Sequence, residues 1–374
     1  MKSIFTLFLV SVTLFSNAQN RCGTEAITKQ MMENNPEYAI AKAKVNAQTN
    51  KWIKNHPNHS EKIIITIPVV VHVVWNTAEE NISNAQIFSQ ITVLNEDFRR
   101  DNLTAVNTPS VWQGIAADCE IEFCLAATNP NGNATTGITR TQTTHASFSM
   151  NDDVKSTSNG GIDAWNNNNY LNIWVCNLDD ASGAIGYATY PSSWISTTDG
   201  VVVRYKSFGT TGAAQSPYHR GRTTTHEVGH WLNLEHIWGA FGSCGDDQVS
   251  DTPKQEDYNL SCPSFPLHPN ACSTTNANGD MFMNYMDYTN DACMNLFTAG
   301  QKTRMISAIN QYRSNLIYNT CSNPTTNIIN VSSANKRLVK IVDILGRTTS
   351  EKTTNTPLFY IYNDGTVEKK IIVE

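Results

Sequence analysis

The stretch His226-Glu227-Val228-Gly229-His230-Trp231-Leu232-Asn233-Leu234-Glu235-His236 (HEVGHWLNLEH) carries three histidines and an adjacent glutamate at spacings that constrain how the chain folds around them. On an α-helix, residues four apart share a face with Cβ atoms about 5–6 Å apart, so His226 and His230 can aim ring nitrogens at one tetrahedral Zn2+. Glu227 adjoins the first of them, where its carboxylate can reach the remaining, water-occupied position without filling it. His236 would face away on a straight helix, so the helix must stop and the chain turn back. Asn233 stands at that turn, and Asn is second to Gly in tolerating the left-handed conformation that ends helices. A zinc ion held this way lowers the pKa of a water and polarises a carbonyl, with Glu227 as proton carrier, which is the chemistry of peptide hydrolysis.

The chain has 374 residues, 40% hydrophobic and 16% charged, with a net charge of -6 and a pI near 5.9. That is ordinary for a globular protein with a sizeable core, and the scattered Lys and Arg argue against nucleic acid as a partner. Lys2, the apolar run Ile4–Phe15 and the small residues Ser16-Asn17-Ala18 read as a secretory signal over residues 1–18. The run is too short to span a bilayer and no later segment approaches about eighteen apolar residues, so no membrane span is expected and the product is secreted, extracellular or at the cell surface. Export makes disulfides available to the nine cysteines. Cys244, Cys262, Cys272 and Cys293 lie in a loop-rich stretch that gains most from cross-links, and spacing alone leaves their pairing open. The odd total leaves a thiol over, and Cys22, set apart just after the signal, is the candidate.

Residues 19–61 are polar, with helix-compatible stretches such as Glu37–Gln48. Ile63–Trp75 (IIITIPVVVHVVW) then reads as a buried strand, which places a domain boundary near Lys62. Ser83 offers an N-cap to a helix with Ile87, Ile91, Leu94 and Phe98 at helical spacing. Further strands are predicted at Ile121–Ala127, Leu171–Leu178 and Gly200–Tyr205, so a layered α+β or α/β domain is expected. Thr223–Thr225 are possible caps for the helix of the histidine stretch, and a long helical pattern covers Gly300–Tyr318. Ser322–Lys336 reads as a linker. Leu338–Leu345, Leu358–Tyr362 and Val367–Val373, with a turn at Asn363-Asp364-Gly365, predict a small all-β module. The expected organisation is a signal peptide (1–18), a propeptide (19–61), a catalytic domain (62–321), and a linker with the β module (322–374).

Asn284-Tyr285-Met286-Asp287-Tyr288 lies further along, where metzincins place a methionine turn beneath the zinc, and HEVGHWLNLEH follows their signature HExxHxxGxxH except that Asn233 replaces the glycine. HEVGHWLNLEHIWG together with NYMDYTNDACMNLFTAGQKTRM (Asn284–Met305) resembles the pappalysin family of metzincins, particularly its ulilysin-like members. A looser resemblance extends over residues 62–321, through Ala85–Asn102 and Leu171–Leu178. It implies an α+β fold with a twisted sheet and long helices above a zinc-containing cleft. It carries over His226, His230 and His236 as zinc ligands, Glu227 as general base, and Tyr288 as the residue that steadies the tetrahedral intermediate. It also implies disulfides Cys244–Cys272 and Cys262–Cys293.

The family uses a loop such as CGDDQVSDTP for Ca2+, implying Asp246, Val249, Asp251 and Thr252 as ligands; a solvated acidic loop is the alternative. Arg21-Cys22-Gly23 resembles the cysteine-switch core of metzincin zymogens, in which a thiolate takes the fourth zinc position. The alternative for Cys22 is a disulfide, for instance with Cys321. Asp291 matches the aspartate at the floor of the pocket that receives the residue after the scissile bond, which implies cleavage on the amino side of Arg and, less often, Lys. Self-processing is then expected before Lys51, Lys54 or Lys62; alternatively, Asp291 is a plain surface residue. The C-terminal module, with KIVDILGR (Lys340–Arg347) and the closing KKIIVE, resembles type IX secretion sorting domains, which implies that machinery as a partner beside protein or peptide substrates. A monomer is expected. The competing reading is a secreted, zinc-containing adhesin, but a structural zinc takes four protein ligands and only three are found.

Overall fold

Ile65–Trp75 (β1) is the spine of the structure. Its residues are buried almost without interruption, the pattern of a parallel strand covered on both faces, and this is why a β-branched run serves there. On one side β1 pairs in parallel with Ile121–Leu125 (β2) along its first half and with Ile138–Gln142 (β3) along its second. On the other side it pairs in parallel with Leu171–Cys176 (β4), which pairs with Val201–Arg204 (β6). Gly186–Ala188 (β5) runs antiparallel to β6 and ends the order β2-β1-β4-β6-β5. Side chains alternate between the faces. Ile67, Val69, Val71 and Val73 join the core shared with the helices, whereas Val74 packs with Trp174, Tyr187 and Val202 on the opposite face.

The computed structural model describes residues 21–56, 64–179, 182–192, 196–239, 244–268, 272, 277–318, 321, 338–343, 347–349, 356–362 and 367–371. The predicted signal peptide, Lys62, the linker Ser322–Lys336 and the turn Asn363-Asp364-Gly365 lie outside them. The chain divides into two compact units, Met1–Cys321 and Ser322–Glu374. The second is a three-stranded antiparallel sheet of Leu338–Val342 (β7), Pro357–Tyr362 (β8) and Val367–Ile371 (β9), with Ile341, Leu358 and Tyr360 buried together. Among the described residues no helix is long and apolar enough to cross a membrane.

Among the described residues, six helices accompany this sheet: Thr24–Asn34 (α1), Pro36–Asn55 (α2), Asn84–Phe98 (α3), the single turn Ser110–Gln113 (α4), Arg222–Trp231 (α5) and Ala299–Tyr312 (α6). Ser83 caps α3 by accepting from the Gln86 amide at 3.2 Å. The expected threonine cap of α5 is corrected. The helix starts earlier, behind Gly221 at φ 74°, and Thr223–Thr225 lie inside it. Gln90 donates to the Gly221 carbonyl and would crowd any Cβ there, so glycine serves both the left-handed backbone and the close approach. The predicted helix over Gly300–Tyr318 is also shorter, because α6 stops at Tyr312 and a 3-10 turn, Ser314–Tyr318, follows.

Arg313, at that break, makes two hydrogen bonds to buried Asp199 at 2.7 and 2.9 Å and stacks 3.7 Å from the Trp231 ring, whose Nε1 also donates to Asp199. This buried pair fixes the end of α5 against the end of α6. Asp199→Ala should lower stability by about 3–5 kcal/mol by stranding the guanidinium, read as a lower urea midpoint.

Disulfides join Cys244 to Cys272 and Cys262 to Cys293, the pairing that the family resemblance implied, and Cys124 to Cys321. The last excludes a Cys22–Cys321 bond. The expectation of a single spare thiol is corrected: Cys22, Cys119 and Cys176 are all free and buried. Cys119 and Cys176 sit in the core, where burial pushes their thiols far up and leaves them inert.

Candidate metal centre and active site

Every residue of α5 is buried, so its histidines lie inside the molecule and not on a solvated face. Past Trp231 the chain closes with bonds from the Leu234 amide to the Gly229 carbonyl (2.9 Å) and from the Asn233 amide to the His230 carbonyl (2.8 Å). Asn233 takes φ 73°, the left-handed turn that the sequence required of it. Its Nδ2 donates to Thr49 and its carbonyl accepts from Arg304 at 2.7 Å. The turn returns His236, and the three Nε2 atoms stand 3.0, 3.1 and 3.2 Å apart. Three vertices of a tetrahedron around Zn2+ would lie about 3.3 Å apart at normal Zn–N lengths.

The outer nitrogens decide what these inner atoms can be. Nδ1 of His226 and of His230 each lie 2.7 Å from a backbone carbonyl, of Tyr285 and of Leu234. Carbonyls only accept, so both rings carry their proton on Nδ1 and turn bare Nε2 lone pairs toward each other. Those short contacts are therefore not hydrogen bonds, and a cation between them removes the repulsion. Burial, then the neighbouring imidazoles, pushes the pKa values of His226 and His230 well down, and burial pushes His236 to about 3, so all three are neutral ligands. The donor set fits zinc. Nδ1 of His236 meets Glu25 Oε1 at 2.6 Å. Burial and the nearby Glu235 raise the Glu25 carboxyl to about 8. A cation on the far side of the ring draws it back toward its charged form.

Cys22 completes the cluster, with Sγ and the three imidazoles all within 4.8 Å of one another. The segment around it lies along the sheet edge. The Ile185 amide donates to the Arg21 carbonyl at 3.0 Å and the Gly23 amide to the Gly186 carbonyl at 2.8 Å, a parallel bridge. A Cβ at Gly23 would meet the sulfur of Met150, so that side chain would have to shift. Glu227 Oε2 accepts from Thr24 Oγ1 (2.9 Å) and faces Cys22 Sγ (3.3 Å), whereas Oε1 has no partner. Burial raises Glu227 to about 8. Gly186 leaves it room, since a Cβ there would stand 3.0 Å from the carboxylate. Met286 is buried beneath α5, where its sulfur would lie 2.5 Å from a Cβ at Gly229. Tyr288 places its hydroxyl 3.2 Å from the Cys22 carbonyl and its ring against His226 and His236.

Asp291 is fully buried, not a surface residue. The backbone amides of Arg220 and Arg222 donate to Oδ2 at 2.8 and 3.3 Å, and Arg21 meets Oδ1 at 2.8 Å. The Arg21 guanidinium also donates to the Thr289 carbonyl and packs 4.8 Å from the Tyr218 ring.

The residues of the acidic loop make local hydrogen bonds. Asp251 gives its carboxylate to the start of α6, accepting from Thr298 Oγ1 and the Gly300 amide at 2.6 and 2.8 Å. The Thr252 hydroxyl lies 2.8 Å from the Val249 carbonyl, and Asp246 accepts from the Gln248 amide.

A family model described as Peptidase M43, pregnancy-associated plasma protein-A, matches residues 152–310. The fold is similar to Tannerella forsythia promirolysin, at 50% identity and TM-score 0.69, covering 80% of this chain and 97% of that one. Mature mirolysin in complex with a cleaved peptide matches at 56% identity and TM-score 0.64, covering 68% and 95%. An extracellular metalloprotease of Neurospora crassa is 38% identical over 154 residues, 39% of this chain and 50% of its own length. The chain belongs to the pappalysin family. It is thus a member of a metalloprotease family, although the match spans only half the length of that fungal relative.

Sequence reasoning did not find Arg21 as the partner of Asp291, or Thr24, Glu25 and Gly186 as parts of the centre. The interactions between Arg21, Thr24 or Glu25 and their partners span more than two hundred residues, and no local pattern encodes them.

Proposed function

We propose that this chain is the latent precursor of a secreted zinc endopeptidase that cuts on the amino side of Arg and, less readily, Lys. One observation carries the reading. The segment before residue 62 lies in the cleft with Cys22 at the three imidazoles and Arg21 on Asp291.

In a substrate cut before Arg, the carbonyl under attack belongs to the residue preceding Arg. Here the chain passes the imidazoles at Cys22, the residue following Arg21. The segment therefore fills the arginine pocket and the metal position with reversed polarity and presents no bond to cleave. In the mature enzyme the β5 edge that now holds Arg21 and Gly23 aligns an extended substrate. Asp291 fixes the side chain after the scissile bond, and Glu227 takes a proton from water and returns it to the leaving amine. Tyr288 is placed to donate to the oxygen of the tetrahedral intermediate. His226, His230 and His236 would hold zinc, which when bound supplies Lewis-acid polarisation and a lowered water pKa.

Cys22→Ala should shorten the half-time of self-maturation by about tenfold, because it removes a thiolate ligand. Timed gels of the purified full-length chain check this, and an unchanged half-time removes Cys22 as the latch. Lys51 and Lys54 lie in the last turns of α2, where the backbone is committed to the helix, so cutting there requires that end to fray. The same reading assigns Ca2+ to the Asp246–Thr252 loop. Binding should raise the melting temperature, and a melting temperature that added Ca2+ leaves unchanged removes calcium from the account. The C-terminal β unit is read as the module that engages type IX secretion, and the 62–321 region is read as a monomeric enzyme.

A further inference from the structure

The three imidazoles differ in what holds them from outside. His226 and His230 lean on the carbonyls of Tyr285 and Leu234, which stay with the enzyme after the prosegment leaves. His236 leans on Glu25, which leaves with the prosegment. Stacking on Trp238, with ring centroids 4.4 Å apart and planes 11° from parallel, and an edge contact with Tyr288 fix the plane of the His236 ring. Neither offers an acceptor to Nδ1.

We propose that Glu25 is a positioning residue of the metal centre, supplied by the prosegment. Its carboxylate holds the proton on Nδ1, leaves Nε2 of His236 as the lone-pair donor and makes that nitrogen more basic. The uncleaved chain therefore holds zinc more tightly with the Glu25 carboxylate than without it. Outer hydrogen-bond partners of metal-bound histidines contribute about 10–100-fold in affinity. The inference rests on the reading that the three histidines hold zinc.

The test uses the full-length chain carrying Glu227→Ala, so that it cannot process itself, titrated with zinc against a chromogenic chelator. Adding Glu25→Ala is expected to weaken zinc binding by about 10–100-fold, with Glu25→Gln, which keeps an acceptor oxygen without the charge, in between. The loss should persist in a Cys22→Ser background. Cobalt substitution should still show the thiolate-to-cobalt band of Cys22 in Glu25→Ala, marking a seated prosegment. A dissociation constant within about twofold of the parent overturns the proposal. So does a loss that vanishes in the Cys22→Ser background, since Glu25 would then act only by docking Cys22. His236→Ala separates the two readings. If it binds zinc like the parent, the three-histidine centre itself fails, whatever Glu25→Ala does.

Discussion

Glu227→Ala is expected to lower kcat/KM on a peptide substrate by about 10³-fold or more while zinc stays bound at one per chain, because positioned acid–base groups contribute about 10²–10⁴-fold. Glu227 is next to His226 in sequence but outside the imidazole cluster in space. Its Oε2 meets Thr24 and Cys22, its Oε1 is unpartnered, and neither oxygen is among the atoms that converge on the metal position. Burial raises the Glu227 carboxyl above the ordinary carboxylate range, which favours a group that first takes and then returns a proton. The variant must be matured in trans by a trace of parent enzyme, and its metal content is read by atomic absorption. Full activity would remove Glu227 from the proton path. Loss of zinc along with activity would make it a ligand instead.

Asp291→Asn should reduce kcat/KM by about 10²-fold or more for substrates with Arg after the scissile bond, since losing one member of a buried charge pair costs about 2–5 kcal/mol. Substrates with Leu at that position should be unaffected or improve. Asparagine is the informative replacement because its oxygen still accepts from the amides of Arg220 and Arg222, so the loop keeps its shape and only the charge is lost. In the latent chain one carboxylate oxygen is tied to that loop and the other is satisfied by Arg21. Once Arg21 leaves, the second oxygen faces the cleft unpaired. A guanidinium answers it with parallel hydrogen bonds and can lie against Tyr218, which an ammonium does less well. A peptide-library digest decides the matter, and new amino termini without enrichment in Arg or Lys would mean that the pocket takes another side chain.

The periodic parts of the chain are legible in the sequence. β1 announces itself as a β-branched run because both its faces are buried, and α3 through its Ser83 cap and apolar stripe. The histidine helix is legible for a related reason: His226 and His230 are brought together by helical geometry alone, and the turn that returns His236 depends on one residue, Asn233, whose left-handed preference is local. What lacks a period is not legible. β5 is only Gly-Tyr-Ala, too short to show alternation, yet it is the edge that Cys22 bridges. The start of α5 depends on Gly221 making room for Gln90, a contact between segments far apart in sequence.

By itself the sequence determined the three imidazoles, the glutamate beside them and the layered α+β frame, because each of these is dictated by residues within a few turns of one another. Only the tertiary structure decided which charge fills the Asp291 pocket, that Cys124 and not Cys22 bonds Cys321, and that Glu25 stands behind His236. Those contacts join residues that no local spacing relates, and they form only when the folded sheet and helices bring distant segments within hydrogen-bonding distance.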